Sequence, residues 1–261
     1  MYNELFKIGP VTIYGYGLMT AIGIIAAYLS CEYRAKKHGL DHTKVFGLVV
    51  SCCIFGYLGS KILYFLTILP QIIADPSIIL RSLADGWVVF GGIIGGLLGA
   101  IWYTKRQKLD TWRFLDTGLA SVALAQGFGR FGCFLAGCCY GRQTDSAFAI
   151  VFTHSSHAPN NVPLVPTQLI SSALDFLLFF ALVLFDRYAD HAPGESAALY
   201  LVCYSVGRFI LEFYRGDIER GAVGVLSTSQ FISIFTAIAG IIIWIIRSRK
   251  RTKNGTVGSE C

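Results

Sequence analysis

Residues 129–142 read Gly-Arg-Phe-Gly-Cys-Phe-Leu-Ala-Gly-Cys-Cys-Tyr-Gly-Arg and follow a long apolar run. The stretch places an arginine, Arg130, where a spanning helix would run, and three cysteines just after it. A guanidinium grips phosphate or carboxylate through two parallel hydrogen bonds. Six charged residues fall within or near the ends of apolar runs: Lys61, Asp116, Arg130, Asp175, Arg208 and Glu212. On the insertion scale each costs about 2.5–3.5 kcal/mol at a helix centre. Such residues pair inside the bundle or serve function. Arg208 and Glu212 stand at i,i+4, the spacing of a same-face ion pair on one helix. The glycines beside Arg130 let backbone and guanidinium approach a bulky anion. Two membrane-embedded arginines, Arg130 and Arg208, therefore point to a phospholipid head group as ligand.

The cysteines carry less. The C-x4-C-C spacing of Cys133, Cys138 and Cys139 is not a standard zinc pattern. A disulfide from Cys133 to Cys138 or Cys139 is open, and packing is the default role. Cys52 and Cys53 lie in an apolar run as small packing residues. Cys31 and Cys261 are expected on the cytosolic side, where thiols stay reduced.

These residues need elements to hold them, and composition says which. Of 261 residues, 54% are hydrophobic and 15% charged. Soluble domains average about 25% charged residues, so the deficit indicates a polytopic membrane protein. The formal charge of +6 does not indicate nucleic acid, because the basic residues sit in short clusters between apolar runs. A spanning helix takes roughly 20 mostly apolar residues. Seven runs qualify, at about 12–30, 45–69, 86–104, 114–137, 166–185, 196–214 and 228–246. The first has neither the basic flank nor the small-residue cleavage site of a signal peptide. Lys and Arg accumulate on the cytoplasmic side of membrane proteins. Here fourteen fall in 31–44, 105–113, 186–195 and the C-terminal tail, against five on the other side: Lys7, Arg81, Arg142, Arg215 and Arg220. The expected fold is thus an all-α integral membrane protein of seven transmembrane helices. Its N-terminus lies outside and its C-terminus in the cytosol, and residues 1–261 form a single polytopic membrane domain. Gly91, Gly92, Gly95, Gly96 and Gly99 line one span, where small residues allow close helix approach in lipid. A transporter would also bury charges, but the internal repeat expected of one is not evident.

The 129–142 stretch resembles the signature of the prolipoprotein diacylglyceryl transferases, bacterial membrane enzymes that begin lipoprotein maturation. Other segments agree in order and spacing: YGLMTAIG from Tyr16, GWVVFGG from Gly86, PTQL from Pro166 and YSVGRFILEFYRGD over 204–217. The resemblance covers nearly the whole chain, and seven spans with the N-terminus out is that family's topology. It implies transfer of the diacylglyceryl group of phosphatidylglycerol to the lipobox cysteine thiol in the signal peptide of a prolipoprotein. A thioether forms and glycerol 1-phosphate leaves, with no cofactor and no metal. The implied location is the bacterial cytoplasmic (inner) membrane, with the lipid bilayer, phosphatidylglycerol and prolipoprotein signal peptides as partners.

Residue by residue, Arg130 matches the signature arginine, Arg208 the arginine of the later motif and Tyr16 the first-helix tyrosine; these three are the expected catalytic residues. Glu212, Gly141, Lys61, Gly91, Gly92 and Asp116 are the expected substrate-binding residues. Glu212 follows Arg208 by one turn, Gly141 is the late signature glycine, and Asp116 sits where the family has an aspartate. The chain departs from the family pattern at four positions. Phe90 replaces the histidine of the His-Gly-Gly segment, so that position cannot accept a proton. Cys133 stands for an asparagine, Cys138 for a glutamate, and Lys61 for an arginine, keeping charge but losing the fork. The outer segment 138–165 is shorter than expected. Two readings stay open: a working transferase with an altered site, or a paralogue with another lipid or acceptor. The retained Arg130, Arg208, Tyr16 and Glu212 favour lipid-transfer chemistry.

Overall fold

The computed structural model describes residues 4–8, 11–83, 86–217 and 221–257. Arg220 and Cys261, used above for topology and redox state, lie outside the described residues. The chain opens with a hairpin of β1 (Glu4–Ile8) and β2 (Val11–Tyr14), then runs into α1 (Gly15–Lys37). A 3-10 turn (His42–Lys44), capped by the Asp41 side chain, leads into α2 (Val45–Thr67). Two short helices follow, α3 (Leu69–Ala74) and α4 (Ile78–Arg81), then α5 (Val89–Arg106) and α6 (Thr111–Ala136). A mostly irregular stretch holds the small strands β3 (Ile150–Val151) and β4 (Pro163–Leu164). The chain ends with α7 (Thr167–Tyr188), α8 (Glu195–Glu212), the strands β5 (Ala222–Val223) and β6 (Leu226–Ser227), and α9 (Thr228–Val257).

Among the described residues, five segments are long and apolar enough to cross a membrane: Gly15–Lys37, His42–Thr67, Thr111–Ala136, Thr167–Tyr188 and Thr228–Lys250. The runs expected at 86–104 and 196–214 do form helices, α5 and α8, of 18 residues each. At 1.5 Å per residue each is about 27 Å long. Helix α5 ends in Lys105 and Arg106, and α8 carries Glu195, Arg208 and Glu212, which dilute their apolar character. The first expected span also begins later than its apolar run, because residues 11–14 pair as a strand.

Two compact units partition the chain, one of residues 1–30 and 116–261, the other of residues 31–115. In the second unit α2 packs on α5 through glycines. A Cβ on Gly59 would strike the carbonyl of Gly91, and one on Gly95 the carbonyl of Phe55. The close approach lets Ser51 donate to the Gly99 carbonyl at 3.0 Å and Ser60 to that of Val88 at 3.0 Å. In the first unit a buried cluster of Ala120, Ala123, Leu182 and Tyr200 joins α6, α7 and α8. Ser172 on α7 donates to the Gly127 carbonyl of α6 at 2.8 Å, and Ser205 of α8 meets Thr236 of α9 at 2.7 Å. Interhelical hydrogen bonds from small polar residues suit a lipid setting, where apolar contact alone gives helices little reason to associate. Outward-facing Ile, Leu and Phe side chains abound, among them Ile25, Leu177, Phe180 and Ile242.

Candidate active site

The signature stretch begins as helix and ends as a turn with a defined cause. Gly137 adopts φ +72°, its N–H bonds to the Phe134 carbonyl, and the Cys138 N–H bonds to the Cys133 carbonyl at 3.1 Å. This pair of bonds is the Schellman ending, which places glycine in the left-handed region because a Cβ there is disfavoured. Side chains of α7 hold the turned chain: Gln168 Nε2 donates to the Cys138 carbonyl at 2.8 Å and Thr167 Oγ1 to the Cys139 carbonyl at 3.0 Å. Beyond it, Gly141 pairs with Arg215 across a backbone bridge, flanked by Arg142 N–H to the Tyr214 carbonyl and Gly216 N–H to the Tyr140 carbonyl. A Cβ on Gly141 would run into the Val165 carbonyl, and one on Gly216 into the carbonyl of Gly141. Gly141 is therefore where three stretches of backbone meet.

Arg215 of this junction lines a small cleft, open at its mouth. Arg130, Arg208 and Arg215 line it, with Cys139, Thr167, Gln168, Ser171 and Leu211. The three arginines are not equivalent. Arg208 Nη1 lies 2.6 Å from Glu212 Oε2, and its Nη2 donates to Ser229 Oγ at 3.0 Å. Arg215 forms a two-point pair with Asp217, at 3.1 and 2.6 Å. Arg130, by contrast, has no hydrogen-bond partner for its guanidinium among the described residues. A guanidinium carries five N–H donors, and donors left unpaired away from water are costly. An anion in the cleft would satisfy them.

Behind the arginines, α7 presents a polar stripe at helical spacing: Gln168, Ser171, Ser172 and Asp175. Gln168 Oε1 and Asp175 Oδ2 are buried with no hydrogen-bond partner among the described residues. Asp175 lies within electrostatic reach of both Arg130 and Arg208. Gln168, Ser171 and Arg215 were not expected as site residues, and Asp175 was expected only as a buried charge. The i, i+3, i+7 spacing of polar residues in an otherwise apolar helix was the available signal.

The expected site residues separate into three groups. Arg130 and Arg208 come together in the cleft, Glu212 holds Arg208, and Gly141 bridges the backbone of Arg215, which lines the cleft. Tyr16, half exposed, packs across α6 at Gly132 and does not line the cleft. Asp116 stands at the start of α8, where its two oxygens accept the Gly194 and Ala197 amides at 2.7 and 2.8 Å. It thus satisfies orphan amides of a helix N-terminus, about 20 Å along α8 from Arg208 by the helical rise. Lys61, Gly91 and Gly92 belong to the second unit. There the buried Lys61 ammonium donates to the carbonyls of Ser82 and Gly86, at 2.8 and 3.1 Å, and lies 4.0 Å over the Trp87 ring. Gly91 lies in the α2–α5 contact, and Gly92 faces Gly56 across it.

The cysteines, expected to be packing residues, converge. The sulfurs of Cys133, Cys138 and Cys139 all lie within 4.8 Å of one another. Cys139 has a positive φ of 58°, rare for a side-chain-bearing residue. Hydrogen bonding among the three thiols pushes the Cys139 thiol down and the Cys138 thiol up.

Comparison with known proteins gives the family. Residues 3–246 match the sequence profile of the prolipoprotein diacylglyceryl transferases. The chain is 47% identical over 252 residues to the phosphatidylglycerol–prolipoprotein diacylglyceryl transferase of Clostridium tetani, covering 96% of this chain and 100% of that protein. It is 43% identical over 249 residues to phosphatidylglycerol–prolipoprotein diacylglyceryl transferase 2 of Clostridium perfringens, covering 95% and 96%. To the corresponding transferase of Pseudomonas entomophila it is 30% identical over 260 residues, covering 96% and 95%. With its several apolar helices, a three-arginine cleft and a match along nearly its full length, this multi-pass membrane chain belongs to the prolipoprotein diacylglyceryl transferase family.

Proposed function

We propose that this chain transfers the diacylglyceryl group of phosphatidylglycerol to the lipobox cysteine thiol of a prolipoprotein signal peptide. It does so as a single polytopic domain of seven spans in the bacterial cytoplasmic membrane, N-terminus outside and C-terminus in the cytosol. The observation that carries the reading is Arg130: a guanidinium with no hydrogen-bond partner among the described residues, in a cleft shared with two further arginines.

The chemistry follows from what such a cleft can do. The acceptor sulfur attacks the glyceryl carbon that bears the phosphate ester. A C–S bond forms, the C–O bond breaks, and its electron pair stays on the phosphate of departing glycerol 1-phosphate. The thiol proton leaves to a base or to the product. Atoms and electrons balance without a cofactor. Charge grows on the leaving phosphate, and preorganised cations in a water-poor site stabilise it best. Arg130 supplies the open fork. Arg208 is aimed by its ion pair with Glu212 and its hydrogen bond to Ser229. Arg215, tied to Asp217, adds positive field. Tyr16, packed over Gly132 two residues along α6 from Arg130, orients the head group. Phe90 offers no base, and Asp175 is a buried carboxylate that interacts with both Arg130 and Arg208. Glu212 and Gly141 serve substrate binding through the arginine and the backbone they hold. Lys61, Gly91, Gly92 and Asp116 serve it by keeping their helices in place.

The test is transfer by the purified protein in bilayer discs containing phosphatidylglycerol, with a lipobox peptide as acceptor. The expected result is lipidated peptide and glycerol phosphate in equal amounts, with none from a peptide whose lipobox cysteine is serine. Glycerol phosphate without lipidated peptide, or neither product from folded protein, would reject the reading.

A further inference from the structure

Three thiols meet at the end of α6, and the transfer reaction uses none of them, since its sulfur belongs to the acceptor. We infer that Cys133, Cys138 and Cys139 form a binding site for a soft, thiophilic metal ion, held by three thiolates beside the arginine cleft.

The geometry fits such a site. A metal–sulfur bond of about 2.3 Å puts three sulfurs around one ion about 4 Å apart. The three sulfurs already lie within 4.8 Å of one another, so side-chain rotation completes the site. The backbone that carries them is held from outside the cluster. Gln168 and Thr167 bind the carbonyls of Cys138 and Cys139, and the Schellman bond ties Cys138 to Cys133. Donor chemistry selects the ion, because thiolates favour soft and borderline metals over magnesium or calcium. Two sulfurs would suffice for a disulfide; mutual proximity of three is what a trigonal ion needs.

Charge balance also fits. A divalent ion replaces three thiol protons, which pass to solvent, and the complex carries one net negative charge. Arg130 and Arg215, which line the cleft with Cys139, offset that charge. The same placement has a consequence, which rests on the transferase reading. A negatively charged metal–thiolate centre would engage the arginines that the lipid phosphate requires, so an occupied site would inhibit transfer.

The experiment uses reduced, metal-free protein in bilayer discs, with Cd2+ as the probe. The expected result is one Cd2+ per chain, an ultraviolet thiolate-to-metal absorption, and protection of Cys133, Cys138 and Cys139 from maleimide. Cys138→Ser should weaken binding at least about tenfold, since losing an outer-shell partner alone costs 10–100-fold. Cys133→Ser, the second variant, should do the same. Protection of none of the three thiols in wild-type protein would overturn the site. So would protection unchanged in the two variants, or recovery of two of the three as a disulfide under reducing conditions. In the transfer assay Cd2+ should inhibit wild type, and Cys138→Ser should need correspondingly more. Stoichiometric binding without inhibition would overturn the coupling to the cleft. Absence of transfer in metal-free protein would count against the transferase reading alone, because binding and protection are read without it.

Discussion

Removing Arg130 and removing Arg208 should have opposite signatures, although the two residues share a type and a cleft. Arg130 has no hydrogen-bond partner among the described residues, so Arg130→Ala breaks no hydrogen bond, and Asp175 keeps Arg208 as a neighbouring positive charge. Its stability cost should stay within about 1 kcal/mol, as for substitutions that break no buried network. Its catalytic cost should be large, about 2.7–4 kcal/mol or 10²–10³ in rate, the loss typical of one donor to a developing oxyanion. Arg208→Ala instead strands the Glu212 carboxylate, buried and 2.6 Å from the missing guanidinium. Breaking one side of a buried pair costs about 3–5 kcal/mol, so that variant should lose stability and activity together. Arg130→Lys separates charge from fork: with the charge kept and the two-point grip lost, activity should fall roughly tenfold, or about 1.4 kcal/mol. Initial rates of glycerol phosphate release give the first quantity, and thermal unfolding followed by the fluorescence of the four tryptophans gives the second. The reasoning is refuted if Arg130→Ala keeps the wild-type rate, or if it unfolds as readily as Arg208→Ala.

Asp116→Ala should behave as a lost helix cap. Two amides of α8 would lose charged acceptors at 2.7 and 2.8 Å, a cost of about 3 kcal/mol. The thermal midpoint should drop while KM for the lipid stays unchanged, and a raised KM without destabilisation would contradict the capping role. Gly141→Ala forces a methyl group into the Val165 carbonyl; the backbone bridge to Arg215 should open and transfer should fail in protein that still inserts, as read by the assay and by protease sensitivity of the 138–165 segment. Asp175→Asn tests the buried carboxylate beside both arginines. If it accepts the thiol proton, kcat should fall and the rate should lose its acidic limb, whereas an unchanged pH–rate profile assigns it to positioning.

The membrane class was readable from run lengths alone, because a helix in hydrocarbon must satisfy its own backbone and so demands about 20 apolar residues in a row. Family membership was readable from 129–142 and 204–217, and the Arg208–Glu212 pair from its i,i+4 spacing, because both are local. Span limits were less legible: the β1–β2 hairpin takes residues 11–14 out of the first helix, a pairing that apolar character does not distinguish from helix. Only the tertiary structure decided which buried charges are committed and which are open. Lys61 reaches carbonyls 21 and 25 residues away, and Asp116 caps amides 78 and 81 residues away. Arg130 is left with an open fork, and three cysteines become one cluster because the chain turns back at Gly137. The cost of a buried charge is visible in the sequence, but its partner is set by packing between distant segments, and the partner decides whether a charge is structural or free to meet a substrate.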